Sequence, residues 1–167
     1  MNYKELIREV PDFPIAGVLF RDVSPLLQNA EAFSQMALDF EKIIDIKNVD
    51  LFVGIESRGF IFAALMAAKF NKGFLPLRKA GKLPQPVLAE SYDLEYGQAT
   101  LEIAPAAKKQ RVVVCDDVLA TGGTLKASVS LCERAGYEVV DLMVLINLTF
   151  LNKMTHKNQP VKSLIQY

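Results

Sequence analysis

Apolar residues Phe33, Met36, Ala37, Phe40, Ile43 and Ile44 recur at intervals of three and four from Glu31 onward. That spacing places them on one side of a helix, and Asn29 just ahead of them predicts its N-cap. Leu51-Phe52-Val53-Gly54-Ile55 is a short apolar run that reads as a strand, and Phe60 to Phe70 reads as a buried helix behind it. Phe74 to Leu77 is another short run, in which Pro76 argues against a central strand. Arg78 to Pro86 combines three Lys or Arg with one Gly and two Pro, a loop composition. Val112-Val113-Val114-Cys115 is continuously apolar, the mark of a strand covered on both faces. Thr124 to Ala135 then predicts a helix with Leu125, Ser128, Val129 and Cys132 on one side and Gly136 as its stop. Val139 to Ile146 is the next strand, interrupted by Asp141. Strand, helix and strand in repetition predict an α/β fold with a mainly parallel sheet.

With 167 residues, 51% of them hydrophobic, the chain is long enough for one full core and too short for two ordinary domains, so a single domain over 1–167 is expected. The longest strictly apolar run, Phe60 to Ala68, is well under the roughly 20 residues of a membrane helix. The N-terminal segment mixes acids and bases where a signal peptide would be apolar. Cys115 and Cys132 lie in apolar patterns and form no CxxC pair. Together these features predict a cytoplasmic protein with no membrane partner.

Lys plus Arg and Asp plus Glu each number 19, so no overall field points to nucleic acid. The balance conceals a segregation. Between Glu56 and Glu90 no acid occurs, while Arg58, Lys69, Lys72, Arg78, Lys79 and Lys82 are all positive. From Pro84 to Ala107 the sign reverses, with Glu90, Asp93, Glu95 and Glu102 and no Lys or Arg. Surfaces ordinarily mix the two signs.

The densest chemistry follows the valine run, in Asp116-Asp117-Val118-Leu119-Ala120-Thr121-Gly122-Gly123-Thr124. Two carboxylates arrive where a buried strand ends, the place where ligands of open α/β sheets sit. The glycines allow a tight turn into the next helix, whose free N–H groups, with the hydroxyls of Thr121 and Thr124, suit a phosphate. Ionised carboxylates accept hydrogen bonds and repel phosphate, so Asp116 and Asp117 call for a vicinal diol nearby. Ribose 5-phosphate carries both groups. A P-loop and a dinucleotide fingerprint are excluded, because neither GxxxxGK[ST] nor GxGxxG occurs. The acid pair is also compatible with a metal for phosphoryl transfer, and the whole segment with a structural turn and helix cap.

This segment resembles the phosphoribosyl-diphosphate-binding motif of the type I phosphoribosyltransferases. The similarity extends to Asp12-Phe13-Pro14, to Gly17 through Leu26, to Gly54-Ile55-Glu56-Ser57-Arg58-Gly59-Phe60, to Arg78 through Pro84, and to Tyr92 through Gly97, in the order found in members that use adenine. Ala80 and Val118 depart from the pattern, where lysine and leucine are common. The resemblance implies that family's fold, a mainly parallel central sheet flanked by helices, with a small hood built from the N-terminal segment 1–30 and C-terminal residues. It also implies a mobile basic loop and acidic hairpin over 78–103.

The reaction implied is adenine plus phosphoribosyl diphosphate giving AMP and pyrophosphate in purine salvage. By resemblance Asp116, Asp117, Ala120, Thr121, Gly122, Gly123 and Thr124 hold the ribose 5-phosphate. Glu56, Ser57, Arg58, Arg78, Lys79 and Lys82 hold pyrophosphate, and the peptide after Glu56 is cis in some members. Leu19, Phe20 and Arg21, with Val118 and Leu148, surround adenine: the Leu19 carbonyl and the Arg21 amide match its edge, and Phe20 its face. Glu95 is the candidate acid that protonates the base, and Arg58 the second catalytic candidate. Magnesium is expected as cofactor, held by substrate oxygens and water without direct protein ligands, and a homodimer is expected. His156, the only histidine, lies in a polar tail without a nucleophile motif. Alternatives are a transferase for another nucleobase, or a non-catalytic sensor of phosphoribosyl diphosphate or a nucleotide.

Overall fold

Alternation of core-facing side chains along the valine run organises the molecule. In a computed structural model, which describes residues 1–94 and 97–167 with Leu94 by backbone alone, strand β7 (Arg111–Leu119) pairs in parallel with β3 (Leu51–Ile55) on one side and β8 (Glu138–Asn147) on the other. Val113 and Cys115 point into a core shared with Met36, Phe40, Phe62 and Met66, whereas Val112 and Val114 point into a second core with Leu125 and Leu131. The first core belongs to helices α2 (Ala30–Glu41) and α3 (Gly59–Lys69), the second to α4 (Gly123–Arg134). The result is a sheet with helices on both faces, and each fully buried Phe, Leu or Met contributes about 1.5–3 kcal/mol.

The main sheet has the order β11-β8-β7-β3-β4-β6-β5 among the described residues. Strands β11 (Lys162–Gln166), β8, β7, β3 and β4 (Gly73–Lys79) are parallel, while β5 (Leu88–Leu94) and β6 (Gly97–Ile103) form an antiparallel hairpin attached at Arg78 and Lys79. That hairpin lies over α4: Glu90 of β5 accepts a hydrogen bond from Ser130 Oγ at 3.3 Å and pairs with Arg134. Near the N-terminus β1 (Arg8–Val10) and β2 (Phe20–Asp22) make a separate ribbon, followed by the short helix α1 (Ser24–Gln28). A last small ribbon joins β9 (Thr155–His156) to β10 (Gln159–Pro160). Among the described residues no helix is long and apolar enough to cross a membrane.

Asn29 caps α2 as its position predicts, its side chain accepting from the Ala32 N–H at 3.0 Å. The helix stops earlier than the periodicity suggests: beyond Glu41 the chain turns, with the Ile43 and Ile44 N–H groups both donating to the Phe40 carbonyl at 3.0 Å. Pro76 does occupy a strand that is paired on both sides. Glu56 N–H donates to Leu77 C=O at 2.9 Å, so the backbone of Leu77 faces β3 and that of Pro76, one residue away, faces β6. The β6 pairing begins only at Arg78, so the missing N–H leaves no ladder bond unmade. Arg78 and Lys79 therefore end a strand instead of starting a loop. The interruption at Asp141 is a bulge, Val112 pairing with Val139 and Val113 with Asp141.

Candidate active site

Strand β7 does not end at the acid pair. It continues through Leu119, in register with Val144 at Asp116, Ile146 at Val118 and Asn147 at Leu119, so both carboxylates stand on sheet backbone and the loop proper is Ala120 to Gly122. Gly122 is left-handed, φ +91°, which favours glycine. The helix α4 that follows has no side-chain cap at Gly122 and no acid in its first turn. Its first N–H groups lack intrahelical acceptors, as at any helix start, where the helix dipole favours negative charge. A cavity of about 80 Å³ there is walled by Asp116 and the run Val118 to Leu125.

Asp117 is buried, and its Oδ2 has no hydrogen-bond partner among the described residues although Arg58 Nε stands 2.8 Å away. The contact is a charge contact without hydrogen-bond alignment, which leaves that oxygen available to a hydroxyl. Asp116 Oδ1 accepts the Asp117 N–H at 2.9 Å. Burial, and then the neighbouring Asp117 charge, hold the Asp116 carboxyl well above the ordinary range. For Asp117 burial acts upward and Arg58 opposes it. Both carboxyls are thus held above the ordinary range, where the sequence reading takes both as ionised. Burial also pushes the Cys115 thiol far up, away from nucleophilic chemistry.

The opposite wall is the turn from β3 into α3. Its Glu56–Ser57 peptide is cis. Gly59 opens α3 so close to β7 that a Cβ would lie 2.6 Å from the Cys115 carbonyl oxygen; this contact sets Arg58 beside the acid pair. Arg58 also stands over the Phe20 ring, 5.1 Å from its centroid. Glu56 receives Arg78 as a fork, Nε to Oε2 at 3.2 Å and Nη2 to Oε1 at 3.3 Å, and the Lys79 N–H at 2.9 Å. The Arg78 bonds, then that N–H, lower the Glu56 carboxyl from its ordinary range. Two of the cations expected at pyrophosphate are therefore held by acids, Arg58 by Asp117 and Arg78 by Glu56.

A larger cavity, about 880 Å³, brings Glu56, Ser57, Arg58 and Lys79 together with Asp116, Asp117, Val118, Ala120 and Thr124. Thr121, Gly122 and Gly123 stand around the adjoining small cavity. Lys82 is exposed, and its carbonyl accepts from Arg78 Nη1 at 3.4 Å. Phe20 stacks edge-on with Phe13 at 5.1 Å between centroids. Leu19 is exposed, while the Arg21 side chain turns away to Glu9 at 3.3 Å and to the Tyr167 ring at 3.8 Å, leaving only its backbone for a base. Leu148 is buried, its N–H on the Leu119 carbonyl at 2.9 Å, and among the described residues does not wall either cavity. Glu95 lies outside the described residues. Tyr92, Gln98 and Thr100 of the hairpin wall the large cavity, and the sequence reading assigns none of them to the site. The polar alternation of Gln98, Thr100 and Glu102 was the available signal. Among the described residues no group of three or more His, Cys, Asp or Glu side chains is placed to hold a metal.

An acid pair near the end of one parallel strand, an open helix N-terminus beyond it and a cationic turn from the adjacent strand meet at the switch point of an α/β sheet, the place where ligands of such sheets sit. The chain belongs to the phosphoribosyl transferase domain family, whose model matches residues 25–165. It is similar to the adenine phosphoribosyltransferase of Bdellovibrio bacteriovorus, 60% identical over 167 residues and covering 100% of both chains. Among solved structures it resembles adenine phosphoribosyltransferase from Thermoanaerobacter pseudethanolicus, with TM-score 0.91, 42% identity and coverage of 99% of this chain and 98% of that one. It also resembles the Giardia lamblia APRTase complexed with 9-deazaadenine, with TM-score 0.90, 35% identity and coverage of 99% and 96%.

Proposed function

We propose that the protein transfers the 5-phosphoribosyl group from phosphoribosyl diphosphate to adenine, releasing AMP and pyrophosphate. One observation carries the reading: a single cavity joins Asp116 and Asp117 to Arg58 and Lys79 beside the uncapped start of α4. The α4 N–H groups with Thr121 and Thr124 bind the 5-phosphate, and Asp116 and Asp117 receive the ribose hydroxyls, Asp117 through Oδ2, which has no hydrogen-bond partner among the described residues. As the bond to the leaving group breaks, positive charge grows on the ribose and negative charge on pyrophosphate. The acid pair, Asp117 with Arg58 beside it, stabilises the first, and Arg58, Arg78, Lys79 and Lys82 with the Ser57 backbone stabilise the second. Glu56 keeps Arg78 aimed at that side. Glu95 donates the proton that N7 of adenine takes up as N9 attacks. The Leu19 carbonyl and Arg21 amide pair with the base edge, with Phe20 on its face and Val118 behind it.

Magnesium fits this site, because its donors are carboxylate, hydroxyl and carbonyl oxygens, which suit a hard cation. Substrate oxygens and water would hold it, without direct protein ligands, and when bound it would neutralise part of the diphosphate charge. The reading includes a cytoplasmic homodimer: both cysteines are free and buried, as suits a reducing compartment, and Ile61 and Phe74 are exposed apolar residues for a partner copy.

The test is nucleotide formation from phosphoribosyl diphosphate and magnesium with each free base in turn. Adenine is expected to react and hypoxanthine, with donor and acceptor exchanged, to lose about 1–3 kcal/mol for each buried group left unpaired. Equal rates with both bases would sink the adenine assignment. No product with any base, despite binding of phosphoribosyl diphosphate, would favour a sensor.

A further inference from the structure

We infer that Asn152 is a positioning residue for the 5-phosphate cradle, acting through the carbonyl of Ala120. The inference rests on the ribose 5-phosphate reading of that loop and adds the device that orients it. Asn152 lies beyond β8, outside the family-like motifs, in a stretch with no periodic pattern. Its side-chain Nδ2 donates to the carbonyls of Ala120 and Leu148, both at 2.9 Å, and to Asn147 Oδ1 at 3.1 Å. Its Oδ1 accepts the Met154 N–H at 3.1 Å. An amide NH₂ has two hydrogens, so three acceptors use all of its donor capacity. Exchanging its nitrogen and oxygen would set an oxygen against three oxygens, so its orientation is determined.

The consequence lies in the peptide it grips. Ala120–Thr121 is not among the cis bonds of the described chain, and in a trans peptide the C=O and N–H point in opposite directions. Drawing the Ala120 carbonyl back to Asn152 turns the Thr121 N–H away from Asn152, to the face where Ala120 and Thr121 wall the small cavity at the start of α4. Among the described residues the Thr121 N–H has no backbone acceptor. A peptide turned the other way would present an oxygen to the phosphate where the cradle needs a donor. The same segment supports the next residue: a Cβ on Gly122 would lie 3.2 Å from Met154 Sδ. Residues 147 to 154 therefore brace the loop from behind, and Asn152 sets its polarity.

Affinities of the full-length protein and of Asn152→Leu for AMP and for adenosine separate this role from plain packing. Leucine keeps the size and adds no charge. A lost hydrogen bond to a charged group corresponds to about a 10- to 100-fold loss, expected for AMP, with adenosine affinity within about twofold of the original protein and the KM for phosphoribosyl diphosphate rising more than kcat falls. Equal losses for AMP and adenosine, or no loss for AMP, would overturn the inference. If Asn152→Leu does not fold, Asn152→Ser, which retains one donor, is expected to show a smaller loss with the same selectivity, and a loss shared by both ligands overturns it equally. A wild-type protein that does not prefer AMP to adenosine would remove the phosphate reading itself.

Discussion

The two ends of the cavity are built from different material. At the sugar-phosphate end, Asp116 to Thr124 grows out of the central strand and into α4, with Cys115, Asp117, Leu119 and Leu125 all buried. The donors are backbone N–H groups fixed by the fold. At the other end the functional groups are long side chains on element ends: Arg58 and Arg78 are partly exposed, Lys79 and Lys82 exposed, and Leu19 lies on an open segment. Backbone donors need no reorganisation when an anion arrives. Each free Lys or Arg would lose up to about 2 kcal/mol of rotamer freedom on being fixed. The fold limits that loss by holding Arg58 with Asp117 and Arg78 with Glu56. On the proposed reading, one end is ready for a phosphate that does not change in the reaction, and the other can rearrange as charge develops.

The sharpest way to break this contrast is to remove the proposed acid, Glu95. If chemistry resides in the adjustable end and recognition in the fixed one, Glu95→Gln lowers kcat by about 10²–10⁴-fold, the ordinary range for general acid catalysis. AMP affinity, set at the phosphate end, is expected to change by less than threefold, within the tenfold that about 1.4 kcal/mol represents. Steady-state kinetics with a parallel binding titration reads both. Wild-type turnover in this variant would take Glu95 out of the mechanism.

The fixed end is tested by a smaller change. Gly122→Ala puts a side chain on a residue at φ +91°, where an L-residue costs about 1–2 kcal/mol. Its Cβ also meets Met154 Sδ at 3.2 Å. Denaturant unfolding is expected to show a stability loss of about that size, accompanied by a several-fold rise in KM for phosphoribosyl diphosphate and an unchanged KM for adenine. A variant as stable as the original protein would show that the loop is not held in the geometry described.

The same contrast explains what the sequence made legible. The phosphate end was readable because its signals are local: a β-branched run, two acids and two glycines in consecutive positions fix a strand, a turn and a helix start. Its length was misjudged because acids at a strand end look like loop, whereas pairing of Val118 and Leu119 with β8 carries the strand through them. The other end was readable only as composition. Nothing local to Arg58 announces Asp117, and nothing local to Arg78 announces Glu56; the sheet order brings them together. Pro76 argued against a central strand because the sequence does not show which strand edge lies open. Asn152 and β11 fell in a segment that reads as a polar tail, where short strands and single amides leave no periodic trace. His156 in that segment contacts the Val139 carbonyl at 3.0 Å, a structural role consistent with its lack of a partner motif.

The smallest expected effect is at an exposed cation beyond the end of β4. Lys82 has no acid partner among the described residues, and its contact with Arg78 is made by its carbonyl, which a substitution keeps. Its charge can act on the substrate only across solvent. Exposed ion pairs contribute about 0.2–1 kcal/mol, so Lys82→Ala is expected to raise the KM for phosphoribosyl diphosphate less than about fivefold at low salt. The screening length falls to about 3 Å at 1 M salt, and there the variant and the original protein are expected to converge. Kinetics across a salt series measures this directly. A loss above tenfold that persists at high salt would mean that Lys82 closes into a water-excluded site, and the adjustable end would then be as deeply enclosed during the reaction as the phosphate cradle is before it.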